Sequence, residues 1–171
     1  MRRAILGSIS ALSLALAAGG LAVAAPAPSV SIQSLAQLQT PLPYPYDEHA
    51  DADAAVKAGL LQARREHKLL LIDLGGNWCP DCRILAGVMR LPEVASFVSA
   101  HYVVVPVDVG RENKNLQIPA RWGVKKLSGV PSILVIGPDG RLKDEGHVAA
   151  LADARSMTPQ GLADWLAQWT N

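Results

Sequence analysis

The chain reads as an α/β domain: a mixed central sheet flanked by helices on both faces, with an N-terminal helical extension ahead of the sheet. Two runs, "KLLLIDLGG" (68–76) and "YVVVPVDVG" (102–110), are apolar at successive rather than alternate positions, as strands covered on both faces are. A third, "VPSILVIGPDGRLKDEG", breaks at Pro138-Asp139-Gly140 into what read as the two arms of an antiparallel hairpin. Helix-period segments precede, separate and follow these runs. A βαβ unit, a hairpin and a closing helix make the sheet mixed.

The order starts at an export signal. Arg2 and Arg3 lead an apolar run from Ala4, and Ala22 and Ala24 stand at A-x-A spacing, so residues 1–24 read as a secretory signal peptide cut after Ala24. The alternative is an uncleaved membrane anchor, because about 20 apolar residues can span a bilayer. Gly7, Ser8, Ser10, Ser13, Gly19 and Gly20 interrupt this run and favour cleavage. Removing the signal leaves 147 of 171 residues, a length for one domain, with 14 basic against 15 acidic side chains. That balance gives no reason to expect nucleic acid as a partner. The one dense basic cluster, Arg64 to Lys68, falls where a helix should end and suits its dipole.

Residues 25–47, carrying Pro26, Pro28, Pro41, Pro43 and Pro45, read as an extended approach with no assigned function, and 48–171 as the domain proper. Val56, Leu60 and Ala63 mark a helix from about Ala50 to His67, the first strand follows, and Leu85, Ala86 and Met89 mark a helix starting at Cys82 and stopping before Pro92. "EVASFVSAHY" suits a short helix and "YVVVPVDVG" the second strand, in spite of Pro106. Residues 111–129 read as a long loop or short helical piece. After the hairpin, Thr158 caps a last helix with Pro159 at its first position and Leu162, Trp165, Leu166 and Trp169 on its apolar stripe.

Both cysteines lie in "GNWCPDCR", at Cys79 and Cys82. Two thiols that close are a redox couple, half a metal site or a bond that ties a turn. A staple stabilises by closing a long loop in the unfolded chain, and two intervening residues close almost none. Zinc wants four Cys or His ligands and no second pair exists; Arg83 stands where covalent haem needs histidine. The cysteines follow a strand directly and open a helix.

The run Trp78 to Cys82 between a buried strand and a helix, with "GVPSILVI" about fifty residues later, resembles the thioredoxin-fold family from about residue 48 to 171. "GGNWCPDC" and "DVGRENKNLQIPARWGV" are further similar to a bacterial exported thioredoxin-like group. Pro80-Asp81 departs from the Gly-Pro of common thioredoxins and resembles the W-C-P-D-C of small thioredoxin-related proteins. The resemblance implies a buried acid at Asp73, six residues before Cys79, and a cis-proline at Pro131 after Gly129 and Val130. It implies thiol–disulfide exchange without a cofactor beyond the Cys79–Cys82 pair and without metal.

On that reading Cys79, exposed at the helix N-terminus where dipole and free N–H groups stabilise thiolate, is the nucleophile, and Cys82 resolves the mixed disulfide. Asp73 relays the proton that Cys82 loses. Val130 and Pro131 present backbone to a partner segment, and Trp78 shapes the partner surface. Pro80 and Asp81 tune the potential, with Arg83 partly offsetting the Asp81 charge. No basic or histidine residue lies between the cysteines, which points to a reductant.

The expected protein is therefore a periplasmic, monomeric thiol–disulfide oxidoreductase acting on disulfide-bearing exported proteins, with a membrane thiol carrier as electron donor. Two alternatives share the motif: a non-enzymatic binding module with a static disulfide, and a copper or cytochrome-maturation chaperone.

Overall fold

The structure, a computed structural model, describes residues 23–171; the export signal therefore falls almost wholly outside the described residues. Among the described residues five α-helices and three strands follow in the order α1 (Ala52–Glu66), β1 (Leu69–Gly75), α2 (Pro80–Met89), α3 (Pro92–His101), β2 (Tyr102–Asp108), α4 (Gln117–Ala120), β3 (Ser132–Ile136) and α5 (Pro159–Ala167). Among the described residues no helix is long and apolar enough to cross a membrane.

The sheet runs β2-β1-β3, with β1 parallel to β2 and antiparallel to β3. All seven residues of the central β1 are buried, as its unbroken apolar run requires. Leu70, Ile72 and Leu74 share one core with Val56 and Ala63 of α1, while Leu69 and Leu71 share the other with Val94 and Val98 of α3 and Leu162, Trp165 and Leu166 of α5. Pro106, without an N–H to pair, lies on the edge strand β2 and is exposed.

Sequence chemistry sets the helix ends. Asp51 caps α1 by accepting from Ala54 N, Arg64 and Arg65 close its last turn, and Thr158 caps α5 by accepting from Gly161 N at 3.0 Å. Proline stands at the first helical position of α2, α3 and α5, where its missing N–H costs nothing.

The expected hairpin is only half built. Beyond β3 the returning chain makes a single bridge, Leu142 with Ile136. One residue further on, the ladder fails because the Asp144 carboxylate, rather than a backbone carbonyl, accepts from Val135 N at 3.0 Å. Gly146 at φ 80° then turns the chain away from an extended path.

Ahead of α1, residues 23–50 hold one 3-10 turn at Leu35–Gln37, a turn at 48–49 and otherwise irregular chain with bends, so the extension before the sheet is helical mainly at α1. The segment is strapped along the domain. Val30 N donates to Gln160 of α5, and Ser31 N to Glu93 of α3. Arg83 of α2 donates to Leu42 O at 2.8 Å and Pro43 O at 3.1 Å. The strap reaches the start of α2, where the two cysteines are.

Candidate active site

Cys79 is itself the N-cap of α2, its Sγ accepting from Cys82 N at 3.3 Å. A sulfur in that position faces the unpaired N–H groups and the positive end of the helix dipole. The Cys79 thiol is hydrogen-bonded to Cys82, and the helix-start N–H groups add to this, bringing its pKa down to about 7. The Cys82 thiol moves the opposite way, held up by the same partner and by burial. Both thiols are free, so one prefers the thiolate and its neighbour the protonated form.

Cys79 is not exposed as expected: only 3% of its surface meets solvent, and none of Cys82's. The reason is the loop before β3. The Cys79 thiol donates to Val130 O at 3.4 Å, and Val130 and Pro131 are both buried beside it. The Val130–Pro131 peptide is cis. Gly129, at φ 133°, holds a backbone conformation that side chains rarely adopt, and its carbonyl accepts from Ser132 Oγ.

Trp78 turns outward, 44% exposed, with its indole Nε1 donating to Gly110 O at 2.7 Å and the Arg111 guanidinium over its ring. Pro80 is exposed at the first position of the helix. Asp81 differs from expectation in both burial and partner. Its carboxylate is buried and bound by Arg155, whose Nε lies 2.9 and 3.0 Å from the two oxygens and whose backbone N donates at 2.9 Å. Burial alone would raise the Asp81 pKa, but these bonds outweigh it and hold the group below the usual carboxylate range. Arg83, expected to offset Asp81, is instead committed to the strap carbonyls and stacks over Tyr44. Arg155 reaches Asp81 because the 3-10 turn Ala154–Ser156 packs on α2, a contact across 74 residues that no local spacing announces.

Asp73 is buried on β1, and burial pushes its pKa up to about 7 against a hydrogen bond that lowers it. That bond comes from Tyr46, whose hydroxyl donates to Asp73 Oδ1 at 2.8 Å. Tyr46 belongs to the proline-rich strap, where the sequence suggested no role. Its backbone is fixed to Asn77 by two bonds, Tyr46 N to Oδ1 at 3.2 Å and Nδ2 to Tyr46 O at 2.8 Å. Gly75 makes room for the phenol: a Cβ there would lie 2.2 Å from Tyr46 Oη and 2.7 Å from Cys82 Sγ.

The structure thus brings Asp73, Cys79, Cys82, Val130 and Pro131 into one buried site, with Trp78, Pro80 and Asp81 around it. Among the described residues no group of three or more His, Cys, Asp or Glu side chains is placed to hold a metal. The arrangement suits sulfur chemistry: a stabilised thiolate, a second thiol one turn on, and a carboxyl that titrates near neutrality.

A family model described as thioredoxin-like matches residues 51–138. A solved structure of a disulphide isomerase from Xylella fastidiosa Temecula1 is 38% identical, covering 74% of this chain and 96% of that one, with a TM-score of 0.68. A protein of unknown function from Pseudomonas aeruginosa is 19% identical over 80% of this chain and 96% of its own, with a TM-score of 0.39. No curated protein sequence matches the chain.

Proposed function

Because the chain belongs to the thioredoxin-like family, we propose that it is an exported thiol–disulfide oxidoreductase which reduces disulfides on exported proteins through Cys79 and Cys82. The observation that carries this reading is the inequality of two adjacent thiols. Cys79 at the helix N-cap is lowered to about 7 while Cys82 is raised. The first is poised to attack a partner disulfide and the second to stay protonated until the mixed disulfide needs resolving. The likeness to a disulphide isomerase supports the same class of reaction.

Direction follows from the thiolate. Strongly oxidising members of this chemistry stabilise a thiolate down to a pKa of about 3.5, whereas reductants hold it near 7. The Asp81 charge beside the pair raises the Cys79 pKa, to an extent limited by its pairing with Arg155, and so keeps the thiol away from the strongly oxidising range. The signal read in residues 1–24 supports periplasmic action; the reading is completed by a monomer that takes its electrons from a membrane thiol carrier.

Insulin reduction by dithiothreitol tests the activity. Wild type should accelerate precipitation of the insulin B chain and Cys79→Ser should not; equal rates would reject Cys79 as nucleophile. Cys82→Ser should accumulate disulfide-linked partners from the periplasm. Recovery of none, or of apocytochromes alone, would overturn the assignment to general disulfide reduction.

A further inference from the structure

Cys82 presents a problem that the cysteine pair alone does not solve. Its thiol is fully buried and its pKa is raised, yet it must lose a proton to act. Bulk water does not reach it. The neighbouring group able to take the proton is Asp73, whose charge also acts on the thiol.

We propose that Tyr46 is a positioning residue for this exchange: the N-terminal strap sets its phenol beside Asp73 and Cys82, orients the Asp73 carboxyl and keeps water from the site. This deepens the reading above and rests on it. Tyr46 lies outside residues 51–138, so the family-matched region supplies the thiols and the acid while the strap supplies the group that orders them.

Three features distinguish Tyr46 from a phenol that is merely satisfied in a core. Tyr102, the comparison within this chain, donates to a backbone carbonyl, Leu166 O, whereas Tyr46 donates to a titrating carboxylate. Residue 75 is glycine where any side chain would strike both Tyr46 Oη and Cys82 Sγ. The strap is pinned on either side of Tyr46, by Arg83 at Leu42 and Pro43 and by Lys114 at Glu48 O, while Asn77, two residues before Cys79, holds Tyr46 itself.

Cys79 thiolate attacks a partner disulfide, forming the Cys79–partner bond and releasing one partner thiolate. Cys82 then passes its proton to ionised Asp73 and attacks Cys79 Sγ. The Cys79–Cys82 bond forms, the Cys79–partner bond breaks, and the second partner thiolate leaves. The partner gains two electrons from the cysteine pair, and both of its thiolates take protons from water. The second step needs Asp73 as carboxylate, so its rate rises with pH through the midpoint of this acid, which burial raises above the ordinary carboxylate range even with Cys79 uncharged in the mixed disulfide. Tyr46, Cys79 and Cys82 are the titratable groups facing Asp73; its sheet neighbours Pro106 and Ile133 are uncharged, and no cation among the described residues acts on it.

Stopped-flow reaction of the reduced protein with 5,5′-dithiobis(2-nitrobenzoate) separates the steps, the first thionitrobenzoate reporting Cys79 attack and the second Cys82 resolution. Tyr46→Phe removes a donor from the Asp73 carboxylate. The second-phase midpoint should therefore rise by about one pH unit, the effect of losing a charge-assisted hydrogen bond, while the first phase keeps its profile. In an Asp73→Asn background the same substitution should leave the second phase unchanged. If Tyr46→Phe fails to fold, site-specific replacement of Tyr46 by 3-fluorotyrosine, a stronger donor, should lower the midpoint. A second-phase profile unmoved by these replacements overturns the role of Tyr46. Release of only one equivalent by wild type overturns the oxidoreductase reading instead.

Discussion

Replacing Asp73 by Asn should stabilise the protein at alkaline pH and leave it nearly unchanged in acid. The carboxyl is buried, and burial raises its pKa from 3.8 to about 7. Between these values the folded chain keeps a proton that the unfolded chain has lost, so stability falls as pH rises across that window and stays low above 7. About three units at about 1.4 kcal/mol each sets the loss at roughly 4 kcal/mol. Asn keeps the shape and still accepts from Tyr46, with no charge to bury. Part of the wild-type shift comes from the neighbouring thiolate, so the comparison belongs in a Cys79→Ser background, where burial remains. Urea unfolding of the two proteins should give similar free energies near pH 4 and a gap of about 2–4 kcal/mol in favour of Asn by pH 8. Asp144, raised by burial to about 6, adds a fall of its own that both proteins share and that cancels in the difference. A gap independent of pH, or an Asn variant less stable at pH 8, would show that Asp73 is not buried with a raised pKa.

Two further predictions concern the surroundings of the thiols. Arg155→Ala leaves the Asp81 charge unpaired beside Cys79 and should move the midpoint of Cys79 alkylation above about 7, whereas Asp81→Asn should move it below; shifts of the same sign in both would refute the ion pair as the controlling element. Gly75→Ala places a methyl 2.2 Å from Tyr46 Oη and 2.7 Å from Cys82 Sγ, so overpacking should cost about 1–3 kcal/mol, seen as a lower thermal midpoint. An unshifted midpoint would mean that the strap does not close on the site as described.

The pattern of what the sequence disclosed follows the range of the interactions. Helices and strands are local, and the apolar run of β1 and the Thr158-Pro159 helix start were legible because each depends on neighbours within a few residues. The second arm of the hairpin misled because a turn signal at Pro138-Asp139-Gly140 says nothing of a side chain that replaces a ladder carbonyl, which is what Asp144 does to Val135. The cysteine pair is local too. Asp73 stands out as the one charged residue on the apolar run of β1, but its link to residue 79, like that of Pro131, became legible only through resemblance to a family.

Tyr46 and Arg155 escaped both routes. Each acts across a long stretch of chain, 27 residues to Asp73 and 74 to Asp81, and each lies outside the family-matched region. The consequence concerns where variation in this chemistry resides. The helix N-cap and its two thiols set what reaction is possible, and they sit within residues 51–138. On the proposed reaction the charge beside the thiols and the titration of the buried acid bear on its rate and pH dependence, and two flanking segments supply the side chains that bind those acids. A proline-rich approach without periodicity reads as a linker, yet a single phenol placed by such a segment reaches the buried acid Asp73 beside the thiols. The two thiols and the two acids beside them thus lie within residues 51–138, and the side chains that bind those acids come from the segments on either side.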